Sequence, residues 1–234
     1  YTSMTADKRK YGFRRAFTLR PHLLKGMLSI SGWTMVQSFI SVSIWFIFFL
    51  AIEHLGERPL AVTNIVRNIS ALLIMVISAF ATTAGALISN QIGAGEQRCL
   101  FKTCGMTLKL TYAILIPLLI ILCLFPESVL RAFTDSPSLI AASVNSVYVM
   151  ASSTLIMAPS FILFNAVSGT GNTKAGFIME MISLAVYTAV IYYGIIRLKP
   201  DVALCWFSEH VHGVTLIFLA WWYLKSGKWR GKKV

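Results

Sequence analysis

Six separate apolar stretches, each long enough to cross a bilayer, constrain this chain more than any other feature. They cover residues 32–52, 60–88, 108–125, 141–166, 177–196 and 202–224. A spanning helix needs about 20 mostly apolar residues, because each rises about 1.5 Å through a hydrocarbon core about 30 Å thick. A helix of a soluble domain keeps a wet face and breaks such runs with charges every turn or two. Several whole stretches here hold one ionisable residue or none. The expectation is an all-α membrane protein, a bundle of six transmembrane helices.

The 21 Lys and Arg outnumber the 9 Asp and Glu, but the excess is not a continuous stripe. Lys8, Arg9, Lys10, Arg14, Arg15, Arg20 and Lys25 precede the first stretch; Lys225, Lys228, Arg230, Lys232 and Lys233 follow the sixth. Arg98, Lys102 and Lys109 fall at the second connection and Lys174 at the fourth, whereas the odd connections hold only Arg58, Arg131, Arg197 and Lys199. That is 16 basic residues on one side against 4 on the other, with Arg67 inside a span. Positive charge in short loops stays cytoplasmic, so both chain ends are expected inside. Glu53, Glu57, Glu127, Asp135 and Asp201 fall at the outer connections. The charge therefore reports topology, with some affinity for anionic headgroups, and argues against nucleic acid, which needs a continuous basic face.

The chain starts at Tyr1 with no apolar leader, so further sequence upstream is expected. Residues 1–25 read as a basic cytoplasmic lead-in or linker, 26–226 as the six-helix unit and 227–234 as a basic cytoplasmic tail. Cys99, Cys104, Cys123 and Cys205 show no ligand spacing, so neither disulfide, metal nor other cofactor is implied. The outer connections, 53–59, 126–139 and 198–201, are short, which makes successive helices antiparallel neighbours.

Two inner connections are alike: Asn90-Gln91-Ile92-Gly93-Ala94-Gly95-Glu96-Gln97 and Ser168-Gly169-Thr170-Gly171-Asn172-Thr173-Lys174. Glycine ends a helix and lets the next one start close by, so Gly93, Gly95, Gly169 and Gly171 read as turns. Neither motif follows a strand or precedes Gly-Lys-Ser/Thr, which speaks against a phosphate cradle. Small residues four apart in the second stretch, Ala81 and Gly85 or Ser78, Thr82 and Ala86, permit close helix contact. Pro117 and Pro159 fall inside the third and fourth stretches, as bends or as hinges.

No Ser-centred elbow or metal-ligand spacing occurs, and His210 and His212 lie on different helix faces, so the chain is expected not to be an enzyme. Polar residues inside spans are more telling, because a charge at the helix centre costs about 2.5–3.5 kcal/mol on insertion scales. Asn64, Arg67 and Asn68 share one helix face, and Arg67 either meets substrate in a cavity or snorkels or pairs structurally. Glu209 and His212, three apart, can touch each other as a proton or cation relay or as an interfacial pair. Glu180 reads as a carboxylate at a helix N-terminus, facing the positive dipole end. Gln37 and Ser41 lie four apart, and Asn145, Ser146, Ser152, Ser153 and Asn165 make the fourth stretch polar, either bonding across helices or lining a wet path.

Leu60-Ala61-Val62-Thr63-Asn64-Ile65, Asn90 to Glu96 and Gly169-Thr170-Gly171-Asn172-Thr173-Lys174 resemble the multidrug and toxic-compound extrusion (MATE) transporters, in the same order and at the same inner loops. The resemblance runs from about Gly26 to Gly227-Lys228-Trp229. Members have twelve spans in two six-helix lobes around a central cavity and export organic compounds in exchange for sodium ions or protons. It implies that this chain is the C-terminal lobe, with the basic lead-in as the inter-lobe linker. Some members carry a coupling glutamate in the first helix of this lobe, where Ser41 stands here, and an aspartate in the fourth, near Pro159.

The expected function is that of the C-terminal lobe of a bacterial cytoplasmic-membrane multidrug exporter. It would act by alternating access in antiport with Na+ or H+. Its partners would be drug-like small molecules, the lipid bilayer and an N-terminal lobe in the same chain or a second subunit. Gln37, Ser41, Asn64, Arg67, Asn68 and Asn165 are the candidates for the cavity wall; Glu209 and His212 are the candidates for proton- or cation-linked movement. The alternatives are a lipid-linked oligosaccharide flippase, which needs a basic cavity for a diphosphate, and a non-transporting six-span scaffold or gene fragment.

Overall fold

The structure, a computed structural model, describes residues 21–230. Long helices α1 (Pro21–Glu53), α2 (Glu57–Gly93), α3 (Leu100–Leu124), α4 (Pro137–Gly169), α5 (Thr173–Val190) and α6 (Ser208–Ser226) follow one another, with no strand among the described residues. Six segments are long and apolar enough to span a membrane: Ser31–Glu53, Glu57–Gly93, Gln97–Leu124, Pro137–Gly169, Thr173–Arg197 and Val202–Ser226. Each contains or closely overlaps one expected stretch.

The boundaries differ in instructive ways. α1 begins at Pro21, within the expected lead-in, and its membrane-spanning part begins at Ser31; residues 1–20 lie outside the described residues. The connection 126–139 is not all loop: Pro126–Arg131 forms a short helix with proline in its first turn, where the missing N–H costs nothing. The sixth stretch is broken. Val202–Cys205 forms one turn, capped by the Asp201 carboxylate accepting from the Val202 N–H at 2.7 Å, and α6 starts only at Ser208. α5 continues as a π-helical segment, Ile191–Arg197. Part of the expected tail packs back: Trp229 is buried and its Nε1 donates to the Leu224 carbonyl at 2.9 Å, while residues 231–234 lie outside the described residues.

α2 and α4 form the centre of the bundle, with α3 against both, α6 against α4, α5 against α6, and α1 leaning chiefly on α5. Val66, Ile69, Leu73, Leu115 and Met150 fill one end of the core; Ala84, Ile88, Ile162, Ala166 and Leu216 fill the other. Of the two small-residue registers on α2, the helix uses Ala81 and Gly85, which are buried, and leaves Thr82 and Ala86 exposed. A Cβ on Gly169 would land on the Gly85 carbonyl oxygen, and a Cβ on Gly85 would lie 2.9 Å from the Asn165 carbonyl oxygen. Only glycine lets these backbones approach so closely. The two glycine turns therefore differ. Gly95 and Gly171 both supply the positive φ that closes their turns, at 82° and 79°. Gly169 is in addition a packing wedge, whereas a Cβ on Gly93 would meet nothing within 4 Å. Pro117 and Pro159 sit inside α3 and α4 without ending either helix.

Candidate functional site

α5 carries Glu180, Ser183 and Tyr187, spaced by three and four, so all three lie on one face over two turns. α6 opposes it with Glu209 and His212, one turn apart. The bonds between these groups run across the helices. Tyr187 donates its O–H to Glu209 Oε1 at 2.6 Å, and Ser183 Oγ shares a hydrogen bond with His212 Nδ1 at 2.9 Å. At the other end of the face Ser41 of α1 donates to Glu180 Oε1 at 3.0 Å. Glu180, Ser183, Tyr187 and Glu209 are all buried.

All of these groups but Ser183 line a cavity of about 180 Å³. Its polar lining is Ser41 and Trp45 from α1, Ser70 from α2, Glu180 and Tyr187 from α5, and Glu209 and His212 from α6. Ile44, Ile74, Met157, Phe161, Leu184 and Trp206 close the rest, and no Lys or Arg is among the lining residues. Two carboxyl groups inside an apolar bundle, with no cationic side chain on the lining, must each hold a proton, pair with a mobile cation or bear a large desolvation cost. The arrangement suits binding and release of a small cation. The described residues hold no group of three or more His, Cys, Asp or Glu arranged for a metal ion.

Two expectations from the sequence change here. Glu180 is not a carboxylate at a helix N-terminus. The helix begins at Thr173, four residues before the apolar stretch, so Glu180 lies past the first turn and points into the bundle. Glu209 and His212 are not bonded to each other; each has its own partner on α5, and both line the cavity rather than the outer surface. Glu180, Trp45, Ser70 and Tyr187 were outside the candidate set. The legible sign was the three-and-four spacing of Glu180, Ser183 and Tyr187 within an otherwise apolar helix.

The remaining candidates scatter. Ser41 lines the cavity, and its one hydroxyl proton is shared between Glu180 and the backbone oxygen of half-buried Gln37, one turn earlier, which also lies at 3.0 Å. Asn64 and Arg67 are half-buried and Asn68 is exposed, so this strip of α2 lies apart from the cavity. The Arg67 guanidinium sits 5.3 Å from the Phe49 ring centre. Asn165 donates to the Phe161 carbonyl of its own helix at 2.9 Å. On the polar α4, Ser153 and Thr154 both donate to the Met150 carbonyl of their own helix at 2.8 Å, and Ser152 reaches His210 of α6 at 3.0 Å.

Comparison with known proteins gives the same architecture. No curated protein matches this chain. An outward-facing multidrug resistance MATE family transporter of the MOP superfamily is 14% identical with a TM-score of 0.76, over 87% of this chain and 46% of its own. A MOP superfamily transporter from Pyrococcus furiosus Vc1, described as having a binding pocket of reverse polarity that suggests a different function, is 14% identical with a TM-score of 0.75, over 85% and 44%. A MATE protein in complex with MaD3S is 15% identical with a TM-score of 0.71, over 85% and 47%. The chain thus spans less than half the length of each, and at this identity the likeness speaks for the fold. The MatE family model matches residues 34–193, which is more than half of the chain. The chain belongs to the MatE family.

Proposed function

We propose that this chain is the C-terminal lobe of a bacterial cytoplasmic-membrane exporter of organic, often cationic, compounds, which exchanges them for Na+ or H+. Two lobes would rock about the midplane and open one cavity to each side in turn. The observation that carries the exchange reading is the buried pair Glu180 and Glu209 on a cavity without a basic lining residue. Ionisable side chains inside a membrane face partners or water and mark ion and proton pathways. Ser41 adds to this. It stands where the resemblance expects a coupling glutamate, and it is bonded to Glu180 across the helix interface. The carboxyl function is supplied from α5 instead of α1.

The substrate wall is assigned to Gln37, Ser41 and the Asn64, Arg67, Asn68 strip, with Asn165 acting through the α2–α4 contact. Exposed Asn68 beside half-buried Asn64 and Arg67 gives α2 a polar strip suited to an inter-lobe cavity. A carrier of lipid-linked diphosphates would need several basic side chains around its cavity, and the proposed wall holds one, Arg67. The test uses the full-length protein in proteoliposomes. An imposed pH or sodium gradient is expected to drive ethidium, a lipophilic organic cation, against its own gradient. Ethidium movement no faster than through protein-free liposomes under either gradient would refute the proposal.

A further inference from the structure

A second hollow, of about 210 Å³, lies at the end of the bundle where α5 begins and α6 ends. Ile178 and Ile182 line it, two residues from Glu180 and Leu184 and so on the far side of α5 from the carboxyl cavity. Its walls run from Ala175 to Ile182 and from Leu219 to Ser226, about 10 Å along each helix axis. That is about two-thirds of the hydrocarbon depth of one leaflet. Ile178, Ile182 and Trp222 are exposed, so the groove opens on the outer surface of the bundle.

Polarity rises along this groove. Ile178, Met179, Ile182 and Leu219 form its deep part, and its polar lining, Tyr223, Ser226 and Lys228, gathers at the helix ends. Asn172, from the second glycine turn, commits its Oδ1 to the Ala175 N–H at 3.3 Å and donates from Nδ2 to the Tyr223 hydroxyl. Tyr223 thus accepts from Asn172 and keeps its own proton to donate to a ligand. Gly227, with a φ of 69°, ends α6 and turns Lys228 back over the groove. The Lys228 ammonium stands 6.0 Å from the Trp222 ring centre, and that of Lys225 stands 4.5 Å from Trp221. Both lysines are exposed, as is Lys174 beside Ala175. Residues 168–179 and 216–230 contain no Asp or Glu to neutralise them. Arg230 lines a different hollow together with Glu96.

We propose that this groove binds an anionic phospholipid of the surrounding membrane. One acyl chain lies along Ile178, Ile182 and Leu219, Tyr223 donates to an ester or phosphate oxygen, and Lys225 and Lys228 hold the phosphate. The order of the groups matches: chain, ester and phosphate in the lipid meet apolar wall, hydroxyl and ammonium in the protein. Trp221 and Trp222 flank the mouth, as tryptophan does between hydrocarbon and headgroups. A zwitterionic phospholipid suits the apolar wall equally well but brings its own cation to the lysines. Headgroup charge therefore decides, and each lysine is expected to favour the anionic lipid by about fivefold in affinity. The site is independent of which ion or compound is moved.

The test is native mass spectrometry of the full-length protein in detergent, incubated with equal amounts of phosphatidylglycerol and phosphatidylcholine carrying identical chains. The wild type is expected to retain phosphatidylglycerol by about tenfold or more over phosphatidylcholine. Lys225→Gln with Lys228→Gln should bring that ratio close to one. Tyr223→Phe should lower phosphatidylglycerol retention several-fold, and Ile178→Trp, which fills the groove from an exposed position, should lower retention of both lipids. Arg98→Gln with Lys102→Gln removes two exposed charges at the same end of the bundle but off the groove, and should keep the wild-type ratio. Equal retention of both lipids by the wild type, or wild-type behaviour in any of the three groove variants, overturns the site. An equal loss in the Arg98 and Lys102 pair also overturns it, since surface charge alone would then account for the preference.

Discussion

The α2–α4 seam and the α5–α6 seam join helices of similar apolar composition in opposite ways. At the first, Gly85 and Gly169 bring backbone against backbone, and a single methyl group has no room. At the second, Ser183, Tyr187, Glu209 and His212 bridge the helices through side chains and leave a cavity beside them. Lipid offers helices no hydrophobic reward for associating, so a seam is held either by close packing or by buried polar bonds. Close packing makes a rigid spine; polar bonds can change partners when a proton or cation arrives. This lobe uses one device at its centre and the other around its buried cavity.

The difference can be broken from either side. The largest effect is expected from Gly169→Ala, whose methyl would meet the Gly85 carbonyl and force the two backbones apart. Overpacking of this kind costs about 1–3 kcal/mol or more, and should appear as a lower melting temperature and poor recovery of the purified full-length protein. Glu209→Gln comes next. It keeps shape and packing, so melting should hold, while ethidium export falls about tenfold or more and loses its dependence on external pH. A Gln variant that exports normally with an unchanged pH profile would assign Glu209 to structure.

Arg67→Ala is expected to act more mildly. It removes the contact with Phe49 and one element of the proposed substrate wall, so export should drop several-fold with membrane insertion intact. Normal export would remove Arg67 from the wall. The smallest effect belongs to Gly93→Ala. The methyl would meet nothing within 4 Å at the end of α2, so stability should change by no more than about 0.5 kcal/mol. Gly93 and Gly169 open similar Gly-x-Gly motifs, and their unequal response to one methyl is the clearest check on the spine.

That pair also shows how far the sequence carries. Spans and turns were legible because hydrocarbon thickness and helix rise set the length of an apolar run, and glycine marks where it stops. Which glycine also sits between two backbones was not, since that depends on a partner 84 residues away, Gly85 against Gly169. The site divides in the same manner. Ser41, Glu209 and His212 were legible because polar groups are costly in a span. Glu180 was misread because the apolar stretch starts at residue 177 while the helix starts at Thr173, which shifts the glutamate from the first turn to the interior. The Tyr187–Glu209 bond joins residues 22 apart on separate helices, and no local pattern reveals it.

The most direct test of the claim that the α5–α6 seam carries the chemistry is a difference infrared spectrum in the carboxyl-stretch region. It is recorded on the full-length protein in lipid before and after ethidium is added. Two carboxyl features should change on ethidium binding, one missing in Glu180→Gln and the other in Glu209→Gln. A spectrum with no carboxyl change, or one that neither substitution alters, would contradict the account.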